Sequence, residues 1–278
     1  MKSPAFALAI LLSTLAGPAW AADLWLEPAR FRFEASGGRV GVRAQLGTPR
    51  SARPQLRRAA RAQGLWVQGP QGWLEAPGKS GDDPIGMASL RGDGAHLLAY
   101  RGKRGFGRLG NEGWLRLFRE TGRDVADAPT HVTSVLYQRS AKALVLAGPP
   151  RGAPWLKALG LELELIPLAA PHELADAPGG LASLPLRLVW RGQPQVGVEL
   201  RAWPLDGAKL KEAITATTDK RGQASIRLTR RGAWVVCATA LRKGDLTRHE
   251  VGFTSFSFSA DPAPPAPGPA ALARALRT

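Results

Sequence analysis

Residues 223–241, QASIRLTRRGAWVVCATAL, decide the fold because they place two strand patterns on either side of a tight turn. Ile226 and Leu228 alternate with polar residues before the turn, and an apolar run that begins at Ala233 follows it. The turn itself is Arg230-Arg231-Gly232. Apolar residues with a period of two are typical of a β-strand with one buried face. We therefore predict two strands that are neighbours along the chain.

The same alternation of strand and turn fills residues 161–260. Seven short strand patterns follow one another at turn spacing, which is typical of a β-sandwich. They are LELELIPL (161–168), LPLRLVW (184–190), QVGVELRAWP (195–204), AITATT (213–218), QASIRLT (223–229), AWVVCATAL (233–241) and VGFTSFSFSA (251–260). The Pro/Ala-rich residues 261–278 that come next have little to bury, so we predict a disordered tail.

Residues 24–149 are also rich in strand and turn patterns. A hairpin is predicted around Gly69-Pro-Gln-Gly72, where two apolar segments flank a turn. One helix is predicted near 112–121, with Asn111 as its cap and Gly122 just beyond its end. The stretch GPPRGAP that follows these residues is typical of a linker.

The first 21 residues have the form of an export signal. Lys2 precedes a short apolar run, and Ala19-Trp20-Ala21 fits a cleavage site. A membrane anchor is the alternative, but a spanning helix needs roughly 20 apolar residues and this run is shorter. We therefore predict a soluble periplasmic or secreted protein, with no transmembrane segment after the signal is removed.

These patterns predict a mostly β protein with two β-sandwich-like domains. The predicted order is a signal peptide (1–21), an N-terminal β domain with one inserted helix (22–150), a linker (151–160), a C-terminal β-sandwich (161–260) and a disordered tail (261–278).

The formal net charge of +16 is carried mostly by arginine. The densest group is Arg50, Arg53, Arg57, Arg58 and Arg61. A basic surface can bind nucleic acid or other polyanions. Arginine is nevertheless scattered through nearly every segment, which favours a solvated surface, and an exported protein rarely meets nucleic acid. We predict no nucleic-acid partner.

A Gly-rich motif, G-x-G-x-x-G, occurs at Gly105-Phe-Gly107-Arg-Leu-Gly110. Such a motif can hold a phosphate on backbone amides when it joins a strand to a helix in a βαβ unit. Here the chain continues into a loop and then into patterns typical of antiparallel strands. The sequence therefore favours a flexible loop that leads into a lone helix.

No metal-binding or nucleophile motif with diagnostic spacing is present, and we predict that the chain is not an enzyme. Cys237 is the only cysteine and lies in a strand pattern, where a small buried apolar role is favoured. His96 begins a strand and His249-Glu250 begins the last strand; a structural imidazole and an exposed edge pair are the ordinary interpretations. Nine tryptophans is a high count; core packing accounts for those in or beside predicted strands, which are Trp66, Trp73, Trp190, Trp203 and Trp234, and a carbohydrate-binding face is the alternative.

Several stretches together resemble the domain of unknown function 4198 family of exported bacterial proteins. They are ADLWLEPARF (22–31), QLRRAARAQGLWVQGPQG (55–72), DDPIGMASL (82–90), AHLLAYRG (95–102), YQRSAKALVLAG (137–148), LELELIPL (161–168) and TDKRGQASIRLTRRGAWVV (218–236). The resemblance implies an Ig-like or transthyretin-like C-terminal domain. It also implies a periplasmic component associated with nickel or cobalt uptake.

His96 and Glu250 match positions that the family fills with His and Glu. Ala22 stands where members typically have His, and WVVCATAL lacks a His that many members carry. The leading hypothesis is a non-enzymatic accessory protein for transition-metal uptake, with His96, His249 and Glu250 as candidate ligands if folding brings them together. Its partner would be an envelope transport or receptor protein. The alternative is a structural or protein-interaction module of the envelope without a metal site.

Overall fold

The computed structural model describes residues 23–34, 37–174, 182–205, 212–243 and 249–262. The predicted signal peptide and nearly all of the predicted tail lie outside these residues.

Strands make up most of the described chain, and one α-helix interrupts them. The first ten strands are β1 (Leu24–Pro28), β2 (Arg32–Phe33), β3 (Gly38–Leu46), β4 (Arg53–Gln55), β5 (Ala62–Gly69), β6 (Gly72–Glu75), β7 (Gly86–Leu90), β8 (Gly94–Gly102), β9 (Gly105–Leu109) and β10 (Thr133–Ala147). The helix α1 (Asn111–Glu120) lies between β9 and β10. The remaining strands are β11 (Leu163–Pro167), β12 (Ser183–Trp190), β13 (Gln193–Pro194), β14 (Glu199–Pro204), β15 (Ile214–Thr217), β16 (Gln223–Arg227), β17 (Ala233–Lys243) and β18 (His249–Ser259).

These strands form one large sheet and two small ones. The large sheet has the order β15-β14-β17-β18-β10-β8-β5-β6, with β2 and β9 also paired to β10. One small sheet contains β1, β3, β4 and β7, and the other contains β11, β12, β13 and β16. The protein is therefore mostly β and built from packed sheets, as the sequence predicts.

The large sheet is covered on both faces where β10 crosses it. On one face Ala143 and Val145 pack with Leu26 and Val42 of the first small sheet. On the other face Leu144 and Leu146 belong to the same apolar core as the residues of β11 and β12. Two covered faces explain why ALVLA in β10 is continuously apolar, since side chains of a strand alternate between faces.

The C-terminal strands form a two-layer sandwich. Strands β11, β12 and β16 provide one inner face, and β14, β17 and β18 provide the other. Large buried side chains fill the space between them, among them Trp190, Trp234, Phe256 and Phe258. Trp190 and Trp234 are thus core residues as the sequence predicts, but Trp73 is not, since it is 49% exposed.

The hairpin and the helix lie where the sequence places them. Gly69 pairs with Gly72 at the turn between β5 and β6. Beyond α1, Gly122 has a φ of 66°, as a glycine that ends a helix requires. The predicted cap is wrong, because the helix is capped at Gly110 and Asn111 is its first residue.

Two other expectations about strands are wrong. The Gly-rich motif is not a flexible loop, since Gly105–Leu109 is strand β9 and pairs antiparallel with β10. The sheet is also not wholly antiparallel, because β10 and β18 run parallel, from the pair Val135–His249 to the pair Ala143–Ser257. This parallel pair joins strands from both sides of the predicted linker into one sheet. The domain boundary at 151–160 stays a prediction, because a shared sheet does not test which parts fold independently.

Candidate functional site: a basic cleft

The structure does not bring the three candidate metal ligands together. His96 on β8 lies opposite Val145 of β10, whereas His249 on β18 lies opposite Val135 of the same strand. Ten residues separate these positions on β10, which corresponds to roughly 30 Å along a strand. His96 therefore cannot share an ion with His249 or Glu250.

His96 has a structural environment. Only 1% of the residue is exposed, and both ring nitrogens lie at hydrogen-bond distance from backbone carbonyls: Nδ1 is 3.2 Å from Gly94 O and Nε2 is 3.1 Å from Arg91 O. Burial lowers the pKa of His96, against the effect of the two carbonyls. A neutral imidazole carries one N–H, so the ring donates to only one of these two carbonyls, and His96 is held in a buried backbone environment.

His249 and Glu250 are also engaged with neighbouring side chains. The His249 ring lies 4.6 Å from the Trp114 ring, and burial lowers the pKa of His249. Glu250 is paired with Arg191 at 3.1 Å and Arg242 at 3.9 Å. The expectation of an exposed edge pair is wrong, because β18 lies between β17 and β10 and both residues are half-buried. Across the described ranges, no three His, Cys, Asp or Glu residues form a group that could hold a metal ion.

Cys237 is fully buried beside Trp25 and Trp203. Burial raises the pKa of its thiol well above the ordinary value. The residue packs as a small apolar side chain, as the sequence predicts.

A cleft of about 540 Å³ lies where the first small sheet meets the large sheet. Its volume falls in the range of small-molecule sites, roughly 300–1,000 Å³. We call it the basic cleft, because its lining contains six cationic side chains and no Asp or Glu. The cationic residues are Arg57, Arg58, Arg61, Lys103, Arg104 and Arg139, and two tyrosines, Tyr100 and Tyr137, lie among them.

The segment between β4 and β5 forms one wall of the basic cleft. Arg57 is its anchor: the backbone N–H of Arg57 donates to Asp82 O at 3.0 Å, and its guanidinium donates to Ile85 O at 2.8 Å. Arg58 and Arg61 follow on the same wall and are exposed. The anchored residue therefore fixes the segment that carries the two exposed cations.

The opposite wall is the turn from β8 to β9 and the adjoining part of β10. The backbone N–H of Lys103 donates to Arg61 O at 2.8 Å, which ties the two walls together. Gly105 pairs with Tyr137, and a Cβ at Gly105 would lie 2.6 Å from the Tyr137 ring. The first glycine of the Gly-rich motif is thus explained by packing under a tyrosine and not by a nucleotide phosphate.

Arg139 lies at the inner end of this wall. Its guanidinium carbon is 4.9 Å from the centre of the Tyr137 ring and 4.7 Å from that of Phe253. Burial lowers the pKa of Arg139, and the like charge of Arg61 acts in the same direction. Burial raises the pKa of Tyr100, against the charges of Arg139, Arg57 and Arg61, so these groups are close enough to interact.

Positive charge in the basic cleft is only partly neutralised. Arg104 pairs with Glu162 at 3.0 Å, and Arg57 lies 4.0 Å from Glu75. No carboxylate of the described residues lies within 4.0 Å of the other exposed cations, which are Arg58, Arg61 and Lys103. An anion in the cleft would therefore meet cations that are not already paired within the described chain.

Sequence reasoning found the arginine cluster but interpreted it as a solvated surface. Three of its five members line the basic cleft, namely Arg57, Arg58 and Arg61, whereas Arg50 and Arg53 do not. The second set of cations is about 40 residues away in sequence and is brought near by the pairing of Ala62 with Gly102. For this second set of cations, the only signal in the sequence was the repeated basic residues around Gly105.

A comparison with protein-family models matches residues 19–242 to the family described as "Domain of unknown function (DUF4198)". No curated protein matches the sequence significantly. Solved structures that match include a tetra-tandem repeat in the extending region of a large adhesion protein, with a TM-score of 0.24, 14% identity, and coverage of 87% of this chain and 50% of that chain. The D00-D0 domain of intimin matches with a TM-score of 0.19, 10% identity, and coverage of 84% of this chain and 98% of that chain. The chain thus spans half the length of the adhesion structure.

In the part of the chain that the structure describes, no helix is long and apolar enough to cross a membrane.

Proposed function

This chain belongs to the domain of unknown function 4198 family, and from that premise we propose that it is an exported, non-enzymatic binding protein that takes an anionic ligand in the basic cleft. The observation that carries the proposal is the lining of the cleft, which has six cationic side chains and no carboxylate. A charged ligand is bound strongly where opposite charge is concentrated and partly shielded from water.

The cleft offers three kinds of contact to an anion. Arg58 and Arg61 provide guanidinium donors that can bind a phosphate or carboxylate through two parallel hydrogen bonds. Lys103 provides a third positive charge, and Tyr100 and Tyr137 provide hydroxyl groups. These groups bind and orient an anion; no nucleophile with an adjacent base lies among the lining residues, so the proposal is binding without chemistry.

Calorimetric titration with sodium pyrophosphate and with citrate at low ionic strength tests this function. The test variant is R58E/R61E, and the matched control is R50E/R53E, which makes the same charge change at exposed arginines outside the cleft. Hydrogen bonds to charged groups contribute roughly 1.5–3 kcal/mol each. The loss of two such contacts should weaken binding by about 100-fold or more in R58E/R61E, and the control should change it little. Equal weakening in both variants would mean that net charge alone attracts the anion.

An accessory role in nickel or cobalt uptake is a narrower form of the proposal, and its support is the family resemblance. Titration of the mature protein with nickel, cobalt, copper and zinc tests it. If none of these ions produces binding heat or a thermal shift, this form of the proposal is ruled out. The alternative, an interaction module of the envelope, predicts a specific partner in a pull-down from envelope extract, and the pull-down should be repeated with R58E/R61E.

A further inference from the structure

The basic cleft is not uniformly polar, and its two ends differ in chemistry. One end is formed by the first small sheet, where Leu24 pairs with Leu46 and Ala44 pairs with Gln55. Leu56 follows this end and is 49% exposed. A large apolar side chain that stays half uncovered beside other apolar lining residues is available to an apolar part of a ligand.

The other end of the cleft carries charged and phenolic side chains. Arg61 and Lys103 are joined by a backbone hydrogen bond at this end, and Tyr137 lies over Gly105 beside Arg139. Leu65 and Ile85 are buried residues that also line the cleft. Leu24, Ala44 and Leu46 of this lining thus belong to the first small sheet, whereas Lys103 and Tyr137 belong to the large-sheet side, and Arg57 and Arg58 lie on the segment that connects the two.

We infer that the ligand of the basic cleft is a single anionic amphiphile, with its anionic group at the Arg61–Lys103–Tyr137 end and its apolar body against Leu46 and Leu56. This inference rests on the proposed function and adds the second half of the ligand. An inorganic anion would leave the leucine end unused, and a neutral apolar molecule would leave the cations unused. A cavity that is apolar with a few convergent polar groups is the usual form of a small-molecule site.

A series of alkyl phosphates tests the inference, each used as a monomer below its micelle concentration. Calorimetry compares inorganic phosphate with butyl, hexyl and octyl phosphate, and octyl glucoside serves as the uncharged amphiphile. Burying one methylene contributes about 0.8 kcal/mol, which corresponds to a gain in affinity of up to about fourfold for each methylene that enters the cleft. The expected result is tighter binding with each longer chain and no binding of octyl glucoside.

Two substitutions locate the apolar body. L56S should reduce the gain in affinity for each added methylene and leave the affinity for inorganic phosphate unchanged, because Leu56 lies at the apolar end. V196S is the matched control, since Val196 is 59% exposed and does not line the cleft. R58E/R61E should weaken binding of every charged member of the series.

The outcomes separate this inference from the proposed function. If phosphate and octyl phosphate bind with equal affinity and both require Arg58 and Arg61, the inference of an amphiphilic ligand is wrong and the anion site remains supported. If no anion binds, both fail. Binding to vesicles of phosphatidylglycerol without binding of monomeric alkyl phosphate would mean that the cleft docks on a membrane surface, and it would overturn the inference, as would equal binding of octyl glucoside.

Discussion

Replacing Glu164 by Gln should destabilise the protein strongly, although the change is a single atom. Glu164 on β11 is 1% exposed, and Lys142 on β10 is fully buried. The Lys142 Nζ donates to Glu164 Oε1 at 2.9 Å, across the space between the large sheet and the C-terminal small sheet. The carboxylate also accepts the backbone N–H groups of Leu159 at 2.7 Å and Leu161 at 3.2 Å. E164Q removes the negative charge that compensates a buried ammonium.

The magnitude follows from this imbalance. Removing one partner of a buried ion pair costs roughly 3–5 kcal/mol, because the other charge stays buried and uncompensated. For a protein of this size 1 kcal/mol lowers the thermal midpoint by about 2–4 °C, so E164Q should melt roughly 10 °C below wild type. K142M should cost less, since the carboxylate keeps two backbone donors. The double variant K142M/E164Q should cost about 2–3 kcal/mol less than the sum of the single variants.

The effect should also depend on pH, in a direction that identifies its cause. Burial lowers the pKa of Lys142 below that of the unfolded chain, even with Glu164 present. Between the two values the unfolded state binds more protons, so stability rises with pH. The free energy of unfolding that E164Q loses relative to wild type should therefore shrink from pH 7 to pH 10, as Lys142 loses its proton. K142M lacks this titrating group, so its loss of stability relative to wild type should grow over the same range as the wild type gains stability.

Calorimetric melting of the four proteins at pH 7 and pH 10 measures these differences. R116M is the matched control, because Arg116 forms an ion pair with Glu120 at 2.8 Å but its side chain is 63% exposed. Exposed pairs contribute at most about 1 kcal/mol, so R116M should melt within a few degrees of wild type. An E164Q midpoint within about 2 °C of wild type, unchanged by pH, would refute the buried pair between the sheets.

Three further predictions follow from buried groups. G102A should cost about 1–3 kcal/mol by calorimetric melting, because its Cβ would lie 2.8 Å from a backbone carbonyl of β10; G105A should cost less, since the Tyr137 ring can move away, and an equal cost would contradict this reasoning. Burial lowers the pKa of His172, so the unfolded chain takes up a proton that the folded chain resists and stability falls as the pH drops below about 6.5; H172L should lose less stability than wild type between pH 7 and pH 5, and parallel curves would contradict it. Cys237 should resist iodoacetamide at pH 8 in the native protein and react in denaturant, as mass spectrometry would detect; rapid native labelling would mean that the core opens there.

Local patterns predicted the elements better than their arrangement. Alternation around Ile226 identified β16, and the glycines of the 69–72 turn identified the hairpin, because both signals depend on neighbours in the chain. The pairing of β10 with β18 depends on residues more than 100 positions apart. An apolar run in β10 indicates burial but does not say whether the partner is parallel.

The candidate site followed the same rule. The cationic side chains are visible in the sequence, but the feature that makes them a site is the absence of carboxylates from the cleft lining, which only the fold reveals. The three metal candidates do not come together in the fold, because His96 and His249 pair with the same strand at positions far apart along it. Residue type suggested a ligand, and register decided against a shared site.

The most direct test of the account is titration of the native protein with octyl phosphate, performed in parallel on R58E/R61E and R50E/R53E. We expect saturable one-to-one binding that the control retains and that R58E/R61E loses. Binding that survives R58E/R61E, or that both variants lose equally, would contradict a ligand held by the basic cleft.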